Sequence, residues 1–276
     1  MTARTIVITG ASDGIGAAAA KVFSERGDTV VLVGRDPVKT ERVARELDAP
    51  FHVADYGDLQ QVRQLAKELY DYANIDVLAN NAGGIMGERR VTVDGFEQTF
   101  QVNHLAGFLL TELLMPKLVS SQATVIQTSS VASRTFADFR IDDLQNERDY
   151  TPHKAYGNAK LANILFTREL QRRHGSEGVS AVAFHPGVVG TNFANEQGTF
   201  LRALYHTPVV KNLFTISPEK GAEPLVRLAD GTPDVDWEPG GYYERKKPGK
   251  LAPAARDEAL AARLWDESAA MVGLEH

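Results

Sequence analysis

Short runs of β-branched and apolar residues alternate along this chain with longer stretches of helical spacing, and that alternation constrains the fold more than any other feature. The runs are Thr5 to Thr9, Thr29 to Val33, Phe51 to Val53, Val77 to Ala79, Thr124 to Thr128 and Val179 to Phe184. Between them, Ala17 to Arg26, Leu59 to Tyr72, Phe96 to Val119 and Ala155 to His174 carry apolar residues at helical intervals. Strands this apolar need cover on both faces, and parallel strands separated by helices are joined by crossovers. The pattern therefore predicts an α/β fold, a doubly wound parallel sheet with helices on both faces.

A length of 276 residues with 43% hydrophobic content suffices for one large core, and no repeat, low-complexity tract or linker divides the chain. One domain over residues 1–273 is expected. After Phe184 the alternation weakens, and the stretch of about 187–215, rich in glycine, proline and aromatic residues, reads as a substrate-covering segment. Leu274-Glu275-His276 reads as the start of an expression tag. The net charge of -6 gives no general basic field for nucleic acid, which is not an expected partner. No apolar run is long enough to span a bilayer and Met1 to Thr9 is too short for a signal-peptide core, so a soluble cytoplasmic protein is expected. The absence of cysteine removes disulfides, thiolate nucleophiles, iron–sulfur clusters and cysteine-ligated zinc. No metal site is expected.

The first strand runs directly into Thr9-Gly10-Ala11-Ser12-Asp13-Gly14-Ile15-Gly16, and an alanine-rich helical stretch follows. Glycines permit a tight turn and close backbone approach to a pyrophosphate, whose charge the free amides of the helix start favour. Strand, glycine turn and helix in this order point to dinucleotide binding. Farther along, Tyr156 and Lys160 stand four apart on a predicted helix, which puts both side chains on one face. A phenol is a poor acid near neutrality, and a neighbouring ammonium is expected to draw its pKa toward working pH. Asn103 lies within an apolar helix, where an amide needs a hydrogen-bonding partner.

The glycine spacing TGxxxGxG resembles the short-chain dehydrogenase/reductase family. Further motifs of that family recur in order: Asn80-Asn81-Ala82-Gly83, Asn103, Ser130, Tyr156-Gly157-Asn158-Ala159-Lys160 and His185-Pro186-Gly187. The resemblance spans roughly residues 5 to 245 and implies a single-domain Rossmann-like oxidoreductase that moves a hydride between NAD(P)(H) and a carbonyl or alcohol substrate. It implies catalytic roles for Asn103, Ser130, Tyr156 and Lys160. Tyr156 acts as general acid/base, Ser130 polarises the substrate carbonyl, and Lys160 also holds the nicotinamide ribose. Asn103 either holds a proton-relay water or satisfies a helix bend, and both roles are compatible. Ser129 competes with Ser130, which is preferred because the family serine is followed by a small apolar segment such as Val131-Ala132. His104 and His185 lack metal-ligand companions and read as structural.

The expected cofactor contacts are Gly10, Ser12, Asp13, Gly14, Ile15 and Gly16 in the loop, with Arg35, Asp55, Asn80, Ala82, Gly83, Tyr156, Lys160, Pro186, Val189 and Thr191. Where the NAD-selecting acid of the family usually stands, this chain has Gly34, and the following Arg35 suits a 2′-phosphate, so NADP(H) is preferred and NAD(H) is the alternative. Asp36 and Asp13 oppose that choice. Asp55 serves either the adenine amine or an Asx-turn. The long stretch between Ser130 and Tyr156, with Val102-Asn103-His104-Leu105 and Ala155 to Asn163, resembles the retinol-dehydrogenase-like branch and favours a rather apolar substrate. A nucleotide-sugar epimerase or dehydratase, and a non-catalytic NADP-binding regulator, are the alternatives. Family members often pair as homodimers or homotetramers.

Overall fold

A computed structural model describes residues 3–187 and 216–274. Its centre is a sheet whose first strands are β1 (Thr5–Thr9), β2 (Thr29–Gly34), β3 (Phe51–Val53) and β4 (Val77–Asn80). The remaining strands are β5 (Thr124–Thr128), β6 (Ser180–His185), β7 (Tyr242–Glu244) and β8 (Lys247–Pro248). They lie in the order β3-β2-β1-β4-β5-β6-β7-β8, parallel throughout except for β8, which turns back antiparallel on β7. This is the doubly wound, Rossmann-like sheet expected from the alternation. The order reverses between β1 and β4, and that switch point opens a crevice beyond the carboxyl ends of the strands.

Alternate side chains of each central strand enter opposite layers. Ile6, Ile8, Val30, Leu32 and Val182 pack with Ala19, Ala20 and Phe23 of α1 (Gly14–Glu25) and Leu225 of a late helix, Pro218–Asp230. Val7, Val31, Val125, Ala181 and Ala183 face the other layer, with Leu65 of the helix Leu59–Tyr70, Leu109 and Leu165. These strands read as continuous apolar runs because both faces are covered. The edge strand β3 is the exception, with Phe51 and Val53 both substantially exposed.

Two helices carry the residues of interest. The first is continuous over 98–120 but irregular: an α turn, Gln98–Phe100, leads through a π turn, Gln101–Leu105, into an α stretch, Ala106–Ser120. Asn103 lies in the π turn, and its side-chain amide donates to the Thr99 carbonyl at 2.9 Å. That carbonyl is where the Asn103 main-chain N–H would point in a regular helix, and the Ala106 amide instead reaches back five residues to Gln101. The second helix, Pro152–His174, is capped by the Thr151 side chain on the Lys154 amide and starts with proline, which lacks the amide donor that would be unpaired there.

Gly157 lets the second helix sit directly on the segment after β5. A Cβ at Gly157 would stand 2.8 Å from Ala137 N and 2.9 Å from Ala132 O, both backbone atoms that cannot swing aside. Gly157→Ala is expected to cost about 1–3 kcal/mol, read as a lower urea midpoint at unchanged m-value.

Candidate active site

The glycine loop meets the requirements of a dinucleotide cradle. Gly10 and Gly14 adopt positive φ, 66° and 58°, which an L side chain disfavours. A Cβ on Gly16 would lie 2.4 Å from the Gly10 carbonyl, so α1 packs onto the turn only because that side chain is absent. Ser12 and Ile15 are half-buried on the loop, and the exposed Asp13 caps α1 by accepting from the Gly14 amide at 2.7 Å. That capping bond gives Asp13 a local structural role.

At the end of β2, a Cβ on Gly34 would fall 2.2 Å from Thr40 Oγ1 and 3.0 Å from Ser12 Cβ. The position where an acid would select NAD is thus filled by its neighbours. Arg35 is exposed beside it, while the Asp36 carboxylate is engaged as the cap of helix Pro37–Leu47, accepting from the Lys39 amide. Asp55 forms the Asx-turn, its Oδ1 accepting from the Gly57 amide at 2.9 Å.

The loop after β4 contains a contact that sequence reasoning passed over. Asn80 turns toward the 98–120 helix and donates to Thr111 Oγ1, whereas Asn81 faces the glycine loop. Asn81 Nδ2 donates to the Thr9 carbonyl and Asn81 Oδ1 accepts from Thr128 Oγ1, while Thr9 Oγ1 accepts from the amides of Asn81 and Ala82. The ends of β1, β4 and β5 are tied together in this way. Strand alternation through β4 is the signal that separates the two asparagines. Gly84 is clamped by Asn103, whose Oδ1 accepts from the Gly84 amide and whose Nδ2 donates to the Gly84 carbonyl. Asn103 therefore satisfies a helix bend and fixes the cofactor-side loop together. Pro186 and Gly187 follow β6; Val189, Thr191 and most of the expected substrate cover lie outside the described residues.

Ser130, Tyr156 and Lys160 converge beyond the end of β5. Tyr156 and Lys160 are buried on one face of the Pro152–His174 helix, with Lys160 Nζ 5.4 Å from the Tyr156 ring centroid. The Ser130 hydroxyl lies close enough to the phenol to favour its ionised form. Ser129, the competing residue, points the other way and donates from its Oγ to the Lys160 carbonyl at 2.7 Å. Lys160 Nζ donates to the Thr128 carbonyl at 3.1 Å. A Cβ on Gly83 would lie 2.4 Å from Asn103 Oδ1 and 3.2 Å from Lys160 Nζ, which places the lysine at the cofactor-side loop. An ammonium has three donors, and Lys160 has one hydrogen-bond acceptor among the described residues, so the donor set fits a ribose diol.

The electrostatics correct one expectation. Burial pushes the Tyr156 phenol above its ordinary value, with the Ser130 hydrogen bond partly opposing it, and no lowering by Lys160 is found. The reason is that Lys160 is itself so thoroughly desolvated that its pKa falls to about 7. The phenol is thereby held protonated near neutrality.

The geometry agrees with the sequence relationships. The profile of the short-chain dehydrogenase family matches residues 4–201. A proposed daunorubicin C-13 ketoreductase of Streptomyces sp. (strain C5) is 43% identical over 280 residues, covering 98% of this chain and 93% of that one. Human retinol dehydrogenase 14 is 36% identical, with coverage of 99% and 88%. A crystal structure described as a proposed NAD(P)-dependent gluconate 5-dehydrogenase from Beutenbergia cavernae, with NADP bound at low occupancy, superimposes with a TM-score of 0.65 at 27% identity, covering 82% of this chain and 90% of that one. The chain belongs to the short-chain dehydrogenase family, in its retinol-dehydrogenase-like branch, and is an NAD(P)-dependent oxidoreductase acting on CH–OH or C=O groups. Among the described residues no helix is long and apolar enough to cross a membrane.

The depressed Lys160 pKa makes a stability prediction. Between about pH 7 and the ordinary lysine value of 10.5 the unfolded chain holds a proton that the folded chain has lost, so stability rises with pH across that window. Lys160→Met is expected to flatten this rise and to stabilise the cofactor-free chain at neutral pH. Urea melts of both proteins from pH 6.5 to 10 check it.

Proposed function

We propose that this protein interconverts rather apolar ketones or aldehydes and their alcohols with NADP(H), using Tyr156 as the proton donor for carbonyl reduction. The observation that carries the reading is the convergence of half-buried Ser130 with buried Tyr156 and Lys160 beyond the end of β5. A bound nicotinamide would supply the hydride. Ser130 Oγ donates a hydrogen bond to the substrate oxygen as negative charge gathers there. Tyr156 Oη delivers its proton to that oxygen, and in alcohol oxidation takes it back. Lys160 Nζ, anchored on the Thr128 carbonyl, offers its other donors to a ribose. Asn103 holds Gly84 and with it the wall of the cofactor cleft.

Preference for NADP(H) is supported by the exposed Arg35 and by the crowding at Gly34, which leaves no room for a ribose-binding acid. The family's bound cofactor in the gluconate 5-dehydrogenase structure is also NADP. An apolar substrate is supported by the relatives named for a ketone and for retinol. It is also supported by Phe136, half exposed on the segment that follows Ser130. That segment is held as a wall: Asn158 Oδ1 accepts from the Asp138 amide, Asn158 Nδ2 donates to Asn146 Oδ1, and Tyr150 Oη donates to the Gly87 carbonyl.

The test is a panel of ketones, aldehydes and alcohols followed by nicotinamide absorbance with both cofactors. Tyr156→Phe is expected to lower kcat by about 10²-fold or more while cofactor binding persists; turnover equal to wild type would overturn the assignment. Arg35→Ala is expected to weaken NADPH binding by about tenfold and leave NADH unchanged. Tighter binding of NADH than NADPH by the wild-type protein would reverse the cofactor reading.

A further inference from the structure

Behind Lys160 lies a buried polar chain that the proposed chemistry does not use. The helix Glu258–Met271 presents Ser268, fully buried, whose Oγ lies 3.0 Å from His104 Nε2. His104 Nδ1 lies 3.2 Å from Asn163 Oδ1. Asn163 Nδ2 donates to two main-chain carbonyls, that of Asn103 at 3.0 Å and that of Thr128 at 3.2 Å. The second of these is the carbonyl on which Lys160 Nζ rests. Four elements therefore meet in one buried network: the end of β5, the π turn, the Pro152–His174 helix and the last described helix.

Donor and acceptor logic fixes the network's sense. Two carbonyls can only accept, so the Asn163 amide must present its NH₂ to them and its oxygen to the imidazole. The imidazole must then carry its proton on Nδ1 and accept from the Ser268 hydroxyl at Nε2. Burial holds His104 neutral, at about 4, with Lys160 the charged group that acts on it. The ring is wedged between Phe100 at 5.1 Å and Phe166 at 6.1 Å, so it cannot turn to exchange its nitrogens without repacking. A reversed Asn163 amide would set oxygen against oxygen at the carbonyl that seats the lysine.

We propose that His104 and Asn163, anchored by Ser268, are positioning residues for Lys160, holding the Thr128 and Asn103 carbonyls in place. The inference rests on the reading of Lys160 as part of the active site. It also gives the Glu258–Met271 helix a role at a centre that it does not touch. It revises the reading of His104 as a purely structural residue.

The test compares His104→Asn with His104→Leu. Asparagine places an amide N–H near the former Nδ1 and keeps the donor to Asn163, whereas leucine removes it; both lose the bond to Ser268. His104→Leu is expected to lower kcat by about tenfold or more, and His104→Asn to restore most of that loss at a similar melting temperature. Wild-type kcat in His104→Leu, or losses in both variants that simply follow their melting temperatures, would overturn the proposal. If His104→Leu does not fold, Asn163→Asp, which turns the donor to the Thr128 and Asn103 carbonyls into a second oxygen, replaces it; a lowered kcat at a similar melting temperature is expected, and wild-type kcat would overturn the proposal. Independently of turnover, ¹⁵N spectra of the wild-type imidazoles, assigned through His104→Asn, should show His104 neutral with its proton on Nδ1 from pH 5.5 to 8. A proton on Nε2 would overturn the network. Absent wild-type turnover across the substrate panel, with this nitrogen signature intact, would instead count against the catalytic reading alone.

Discussion

The main-chain carbonyl of Thr128, last residue of β5, accepts from Lys160 Nζ and from Asn163 Nδ2, and the rest of the site is arranged around it. Both donors come from one helix, so this carbonyl seats the helix on the end of the sheet at the depth where Tyr156 meets Ser130. A buried lysine is tolerable there because desolvation favours its neutral form and the Thr128 carbonyl is a fixed acceptor for it. The desolvation that makes the position costly also raises the value of each hydrogen bond made in it.

The second constraint is the way the strand ends are laced. Thr9, Asn81 and Thr128 share a set of hydrogen bonds across β1, β4 and β5, and Asn103 carries the lacing into the helical layer through Gly84. Lys160 and the glycine loop are thus mounted on one rigid edge. The π turn belongs to the same arrangement, since it carries Asn103, whose side chain bonds both Thr99 and Gly84. A site that must place a phenol, a hydroxyl and a cofactor within hydrogen-bonding range benefits from such support, because small misplacements are costly in rate.

Much of this was legible in the amino-acid order. Apolar runs covered on both faces required a parallel sheet, and the glycines between β1 and α1 required a tight turn onto the helix start. The i, i+4 spacing placed Tyr156 and Lys160 on one face, and local rules could do this because strand alternation and helix periodicity act between near neighbours. What the sequence left open was direction. Ser129 and Ser130 are adjacent hydroxyls, and only their packing shows that one bonds the Lys160 carbonyl while the other meets the phenol. Asn80 and Asn81 divide in the same way between helix and glycine loop.

Tertiary structure alone decided the electrostatics and the buried network. An ammonium four residues from a phenol suggests a lowered phenol pKa, but burial of both groups outweighs that pairing and moves the lysine down and the phenol up. Ser268, His104 and Asn163 are separated by 164 and 59 positions along the chain, and no periodicity relates them. The sequence determined which residues share a strand or a helix face, because those relations follow from backbone geometry. Which groups lose water, and which distant donors then find each carbonyl, was settled only when the layers closed on one another.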